Sequence, residues 1–178
     1  MARQTNQEER PPRPTMADVA RRAGVSTMTV SRALKPDGVV SQDVRAKIIA
    51  VAEELGYVLD MSAGSLSSKK TGFVAGIVPS LNNSNFSDTA RGITDGLAES
   101  GLQLLLGYTE YSMVQEEKLI ELMLRRRPEG MILTGGHHTD RARRLLMGAG
   151  IPIIETWDLP ADPIDRVVGF SNSEAMEL

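Results

Sequence analysis

The sequence contains no cysteine, which excludes a disulfide framework, a thiolate metal site and a cysteine nucleophile. Aromatic residues make up only 4% of the chain, and there is a single tryptophan. No run of 18 apolar residues occurs, so no segment predicts a membrane span. Residues 1–14 lack the apolar core of a signal peptide. Together these absences favour a protein of a reducing cytoplasm that has no contact with a membrane.

The composition that is present indicates a folded chain whose charge is unevenly distributed. Of its 178 residues, 41% are hydrophobic and 24% are charged, which is typical of globular proteins. Residues 1–70 carry 11 Lys and Arg against 8 Asp and Glu, whereas residues 71–178 carry 9 against 15. The net charge of −3 therefore combines a basic front with an acidic body, which suggests an N-terminal module that faces nucleic acid.

Residues 15–58 contain three short helical patterns and no strand. Each pattern follows a hydroxyl side chain that can cap a helix N-terminus, and two of them end at a glycine that permits a left-handed turn. Apolar residues recur at helical spacing, so the three helices are expected to form one small unit with a thin core. The capping and ending residues are Thr15 with Asp18, Ser26, Ser41, Gly24 and Gly56.

From Gly72 onward the apolar pattern changes its period. Phe73–Val78 is a continuous apolar run, which suits a strand buried on both faces. Strand and amphipathic helix patterns then alternate, which predicts βαβ units and a parallel sheet with helices on both faces. The predicted strands are 73–78, 103–107, 131–134, 152–156 and 166–170, and the helices between them carry Phe86, Ala90, Ile93 and Leu97, then Leu119, Leu122 and Met123, then Ala142, Leu145, Leu146 and Ala149.

Residues 15–32 combine a helix, a tight turn and a second helix, which is the arrangement of a helix-turn-helix DNA reader. If Val30, Ala33 and Leu34 face inward, Arg32 faces outward, where its guanidinium can reach a phosphate or a guanine edge. The alternative is a packing module whose charges are merely solvated. The residues predicted to contact DNA in this stretch are Thr15, Ser26, Thr27, Met28, Thr29, Ser31 and Arg32.

The same stretch closely resembles the headpiece of the lactose-repressor (LacI/GalR) family of bacterial transcription regulators. The matching positions are Thr15, 18–20 (DVA), 23–26 (AGVS), 29–32 (TVSR), 40–41 (VS) and 54–57 (ELGY). The resemblance implies a repressor that binds a near-palindromic, double-stranded operator as a homodimer. It also implies that the linker 59–71 folds into a hinge helix on DNA and that Leu66 wedges into the minor groove.

The resemblance continues to the end of the sequence and implies an α + α/β fold class. We expect a disordered arm at 1–14, a three-helix headpiece at 15–58, a hinge at 59–71 and a periplasmic-binding-protein-like first subdomain at 72–178. In the resembled family the effector pocket lies between two subdomains, and the second follows where this sequence stops. We therefore expect a C-terminally truncated chain with an incomplete first subdomain, no second subdomain and a poor response to effector.

Ligands of open parallel sheets bind beyond the carboxyl ends of the strands. Those ends carry hydroxyls, amides, carboxylates and aromatic rings, which suit a polyol, although the same residue types are ordinary turn formers and helix caps. Within the family, the segments 27–32 (TMTVSR), 78–86 (VPSLNNSNF) and 168–172 (VGFSN) look most like those of gluconate-operon repressors. The expected effector is therefore a sugar or a sugar acid such as gluconate. The predicted effector residues are Ser80, Asn85, Phe86, His138, Glu155, Trp157, Asp158, Phe170 and Asn172.

The sequence predicts no metal, cofactor or catalytic centre. His137 and His138 are adjacent, so their side chains point apart, and no third ligand follows at a recognisable spacing. Gly135-Gly136 is not followed by the pattern of a nucleotide cradle. The competing hypothesis is a small α/β metabolite-binding or enzymatic domain with an incidental helical N-terminus. Because it would need a catalytic constellation at the strand ends, we predict a DNA-binding regulator and not an enzyme.

Overall fold

The computed structural model describes residues 13–35, 38–59 and 70–170. The chain divides into two compact units within the predicted linker 59–71, and each unit has its own apolar core. Most of the predicted arm and hinge, including Leu66, lie outside the described residues, as does Asn172. In the described part of the chain, no helix is both long and apolar enough to cross a membrane.

The described residues of the first unit contain three helices, as the sequence predicts. They are α1 (Met16–Ala23), α2 (Thr27–Ala33) and α3 (Gln42–Leu55). Leu34, which was expected inside the second helix, is its C-cap residue. The core is built mainly from small side chains, which allow short helices to pack closely: Val19, Ala20, Ala23, Val30, Ala33, Ile48 and Ala52.

A half-buried arginine holds the C-terminal end of α2. The guanidinium of Arg45, on α3, donates hydrogen bonds to the carbonyl oxygens of Ala33, Lys35 and Gly38, the second of them at 3.0 Å. Carbonyl groups at a helix end lack partners within the helix, and a cation there complements the helix dipole. Arg45 therefore fixes α2 against α3, a role that the sequence pattern did not reveal.

The second unit is a parallel sheet with intervening helices, which confirms the predicted βαβ pattern. Its sheet has the strand order β2-β1-β3-β4-β5, and every neighbouring pair is parallel. Strand β2 is one residue longer than predicted, and β5 ends two residues earlier. The elements are β1 (Phe73–Val78), α4 (Ser84–Ala98), β2 (Gln103–Tyr108), α5 (Met113–Leu124), β3 (Met131–Thr134), α6 (Asp140–Met147), β4 (Ile153–Thr156) and β5 (Arg166–Val168).

The chain reverses its direction across the sheet between β1 and β3. Strand β2 lies on one side of β1, and strands β3, β4 and β5 follow one another on the other side. Because such crossovers are right-handed, α4 covers one face, whereas α5 and α6 cover the opposite face. On that second face α5 buries Ile120, whereas the predicted Leu122 is 52% exposed. Ligands of open α/β sheets bind at such a reversal, beyond the carboxyl ends of the strands.

Replacing Arg45 with alanine should loosen the first unit, because three carbonyl groups lose their charged donor. We expect a loss of about 1.5–3 kcal/mol, seen as faster amide hydrogen exchange throughout α2. The exposed Lys47 on the same helix supplies the matched control, Lys47→Ala, which should change stability by less than about 0.5 kcal/mol. Equal exchange rates in the two variants would contradict the role given to Arg45.

Candidate nucleic-acid interface and strand-end site

Helix α1 begins with a complete capping box, as the sequence predicts. The Thr15 hydroxyl accepts from the Asp18 N–H at 3.3 Å and donates to Asp18 Oδ2 at 2.6 Å, while the Thr15 N–H donates to Asp18 Oδ2 at 2.9 Å. These bonds, first of all the one from the Thr15 hydroxyl, hold the pKa of the Asp18 carboxyl below its usual range. Thr15 is exposed, but its hydroxyl is already engaged in fixing the start of the helix.

The outer face of α2 carries the predicted DNA-contacting side chains. Ser26, Thr27, Met28 and Arg32 are exposed, and Met28 leaves 62% of its surface in solvent. The Ser26 hydroxyl caps the helix by accepting from the Thr29 N–H at 3.2 Å. Opposite them, Val30 and Ala33 are fully buried, as predicted, whereas Ser31, predicted to face outward, and Leu34, predicted to face inward, are both half-buried.

An aromatic cluster lies at the carboxyl ends of the strands, on the side of α4. Trp157 follows β4, and its ring packs edge-on against Phe86 at 5.3 Å and Phe170 at 5.7 Å between centroids. Its indole N–H donates to the Thr89 hydroxyl of α4 at 3.1 Å. The backbone of Trp157 is left-handed, with φ of 71°, a conformation that costs a bulky residue about 1–3 kcal/mol and is typical of ligand sites.

The polar strand-end residues mostly bond to their own loops. The Ser80 hydroxyl accepts from the Asn82 N–H at 3.1 Å, and the Asn85 N–H donates to Asn83 Oδ1 at 3.0 Å. Asp158 Oδ1 accepts from the Leu159 N–H at 2.9 Å. Such bonds are also expected if these residues are ordinary turn formers and helix caps. The effector role of Ser80, Asn85 and Asp158 therefore stays a prediction.

Two predicted effector residues are buried on the other face of the sheet. The side chains of Glu155 and His138 have no exposed surface, and His138 contacts the carboxylate of Glu116 on α5. Glu155 lies on the same side of β4 as the core residue Ile153, because strand side chains alternate. In this structure both groups are engaged inside the protein, and their contact with an effector stays a prediction.

An ion-pair network outside the core fixes α6 to α5. Arg141 donates to Glu117 at 2.9 Å and to Glu121 at 2.7 Å, and the Thr139 hydroxyl donates to Glu117 at 2.5 Å. The Thr139 hydroxyl, followed by Arg141, lowers the pKa of Glu117. Arg141, followed by Arg125, lowers that of Glu121. In the described ranges, no group of three or more His, Cys, Asp or Glu side chains is arranged to hold a metal ion.

Two family profiles match this chain, and together they cover both units. The profile described as "Bacterial regulatory proteins, lacI family" matches residues 15–60. The profile described as "Periplasmic binding proteins and sugar binding domain of LacI family" matches residues 69–172, more than half of the chain. The chain belongs to the LacI family. This family membership confirms the prediction that was based on the helix-turn-helix residues.

Relatives of this LacI-family chain are named as transcriptional regulators. It is 42% identical over 165 residues to the HTH-type transcriptional regulator GntR of Pseudomonas aeruginosa, covering 93% of this chain and 48% of that protein. It is 38% identical to the regulator of the same name from Escherichia coli, covering 92% and 49%. A crystal structure of a LacI-family transcriptional regulator from Silicibacter pomeroyi superimposes with a TM-score of 0.84 at 43% identity, covering 91% and 49%. The LacI-family chain spans about half the length of these relatives.

Sequence reasoning missed two residues that connect distant segments of the chain. Arg45 was not singled out, although it holds the end of α2. Glu116 was not singled out, although it lies 3.1 Å from His138. A carboxylate among the apolar positions of an amphipathic helix is the signal that could have drawn attention to Glu116.

Replacing Thr15 with alanine should raise the pKa of Asp18 toward its ordinary value of 3.8, because the lowering hydroxyl is removed. Helix α1 should also lose about 0.5–2 kcal/mol of capping free energy. A lowered pKa supplies stability above the ordinary value that disappears as the pH falls through the folded-state pKa, so the variant should lose less stability on acidification than the parent.

The measurement is an NMR titration of the Asp18 carboxyl carbon in the whole chain. Thr94→Ala is the matched control, since the Thr94 hydroxyl donates to Ala90 in α4 of the other unit. An Asp18 pKa that does not move in Thr15→Ala would show that the capping box is not what lowers it.

Proposed function

We propose that this chain forms the DNA-binding part, with adjoining effector-domain sequence, of a bacterial transcriptional repressor. It binds a near-palindromic, double-stranded operator as a homodimer and is released by a small sugar or sugar acid. It acts in the cytoplasm and associates with the nucleoid through its operator. The observation that carries the proposal is the exposed N-terminal face of α2, held rigidly by a buried inner face.

The chemistry of that face fits the major groove. Thr27 and Met28 offer methyl, hydroxyl and thioether groups that can meet thymine methyls, and Arg32 can reach a phosphate or a guanine edge. The Ser26 hydroxyl occupies one N–H of the first turn, while the helix dipole still favours a phosphate there. Thr29 and Ser31 are half-buried on the same helix, and their short side chains reach less far toward the DNA than Arg32 does.

The strand-end cluster supports effector binding in the second unit. Phe86, Trp157 and Phe170 form an aromatic wall that suits the apolar face of a sugar ring. The resemblance to gluconate-operon repressors makes a sugar acid the expected ligand. The relatives named GntR are transcriptional regulators, which favours this function over a free-standing metabolite-binding or enzymatic domain.

Operator binding distinguishes the two candidate functions. A duplex selected from a random palindromic pool should bind with a steep loss of affinity between about 50 and 200 mM salt and with clear sequence preference. If the chain were an enzymatic or metabolite-binding domain, no DNA sequence should be enriched from the pool. Enrichment of no palindrome from the pool would overturn the proposed function.

Arg32→Ala tests the recognition helix on the selected duplex. We expect a loss of about 1–3 kcal/mol with relaxed specificity at one base pair if Arg32 binds a guanine, or a salt slope reduced by about 1 if it binds a phosphate. Arg91→Ala is the matched control, since Arg91 pairs with Asp88 on α4 of the other unit. Equal affinity of Arg32→Ala and the parent at every salt concentration would remove α2 from the interface.

The single tryptophan provides a direct probe of the strand-end site, because Trp157 lies within it. We expect gluconate to change Trp157 emission in a saturable way, but only at high concentration, in keeping with the poor response to effector expected above. Glucose should change the emission less because it lacks the carboxylate. Phe170→Leu, which removes one wall of the cluster, should weaken the effect, whereas Tyr111→Leu at an exposed loop should not. Emission unaffected by either sugar would contradict an effector site at Trp157.

A further inference from the structure

Three ionisable side chains from three elements meet inside the second unit. They are Glu116 of α5, His138 of the loop between β3 and α6, and Glu155 of β4, and we call them the buried triad. His138 Nδ1 lies 3.1 Å from both carboxylate oxygens of Glu116, and His138 Nε2 lies 3.4 Å from Glu155 Oε1. The side chains of His138 and Glu155 are fully buried, and that of Glu116 is 10% exposed.

A neutral histidine does not satisfy this arrangement when both carboxylates are ionised. With its proton on Nδ1, the imidazole donates to Glu116 and turns an Nε2 lone pair toward an ionised oxygen of Glu155. Those two atoms, His138 Nε2 and Glu155 Oε1, are the buried side-chain atoms without a hydrogen-bond partner among the described residues. Two acceptors 3.4 Å apart repel in the interior, whereas a proton on Nε2 turns the same contact into an attractive ion pair.

We propose that His138 is an imidazolium held between Glu116 and Glu155, and that its second proton locks two loops of the strand-end site. Each ring proton of this imidazolium then faces a carboxylate, 3.1 Å away at Glu116 and 3.4 Å away at Glu155. Other charged groups on the packed elements face partners of their own. Glu117 is bonded to Arg141, Asp165 accepts from the Ile153 N–H, and Asp158 lies 3.6 Å from His137.

The buried triad is placed to fix both loops at once. His138 belongs to the loop 135–139, and Glu155 Oε2 accepts from the Ile164 N–H at 2.7 Å, which closes the loop 157–164 that begins with Trp157. The loops also touch, because a Cβ on Gly136 would lie 2.6 Å from the Pro160 ring. Only the link from these loops to effector binding rests on the proposed function; the protonation of His138 does not.

The test is an NMR measurement on the whole chain labelled with ¹⁵N at histidine. The chain has two histidines, so two sets of ring-nitrogen signals are expected. His137 is 91% exposed and gives the comparison spectrum of a ring that faces solvent. At neutral pH we expect both ring nitrogens of His138 to carry protons, because each of them faces a carboxylate. A single protonated ring nitrogen on His138 would overturn the proposal, whether or not Glu155 then holds the proton.

Glu155→Gln keeps the shape of the triad and removes its need for the second proton. Its amide can donate to His138 Nε2 and its oxygen can still accept from Ile164, so we expect a folded variant with one protonated ring nitrogen on His138. Glu99→Gln, an exposed position at the end of α4, is the matched control and should keep both. A doubly protonated His138 in Glu155→Gln would show that Glu155 is not the partner.

Stability tests the locking role without DNA or effector. As the pH rises, the unfolding temperature of the parent should fall more steeply than that of Glu155→Gln, because only the folded parent needs the second proton on His138. Identical pH profiles in the two proteins would overturn the locking role, while leaving operator binding untouched.

Discussion

The packing of alanine-sized side chains between three short helices is the constraint on which the first unit depends. Ala20, Ala23 and Ala33 are almost fully buried, so α1 and α2 approach closely and their outward residues are held in fixed positions. So thin a core supplies little hydrophobic free energy, and local polar contacts add to it. The capping box of Thr15 and the carbonyl contacts of Arg45 are such contacts. The exposed face of α2 is therefore positioned by residues that lie outside that face.

In the second unit the corresponding constraint is the reversal of strand order between β1 and β3. It places α4 on one face and α5 with α6 on the other, so the two sides of the strand ends differ in character. The side of α4 holds Trp157 against Phe86, partly open to solvent. The side of α5 holds Glu155 and His138 in the interior. The end of β4 thus carries a partly exposed aromatic ring two residues after a buried carboxylate.

The features that the sequence predicted depend on local patterns. Helix caps such as Thr15 with Asp18, the inward positions Val30 and Ala33, and the apolar run of β1 all follow from residues within one or two turns of each other. The features it missed join distant segments. Glu116 meets His138 across 22 residues, and Arg45 reaches Ala33 across 12. Periodicity cannot show which way a strand-end side chain turns, so Glu155 and Trp157 were placed together in one predicted site.

Glu155 and His138 lie on the α5 side of the sheet, whereas the aromatic cluster of Trp157 lies on the α4 side. A sugar acid bound against the aromatic cluster would therefore not contact these two side chains. The predicted effector residues include no lysine or arginine, and Asp158 among them is itself negative. For a sugar acid bound at the strand ends, α4 provides a partial positive charge. Its first residue, Ser84, follows the switch-point strand β1, and a 15-residue helix directs its free N–H groups and dipole toward the strand ends. Because Asn85 lies in that first turn and Phe86 beside Trp157, we expect the carboxylate to bind at the helix terminus and the polyol chain to lie along the rings.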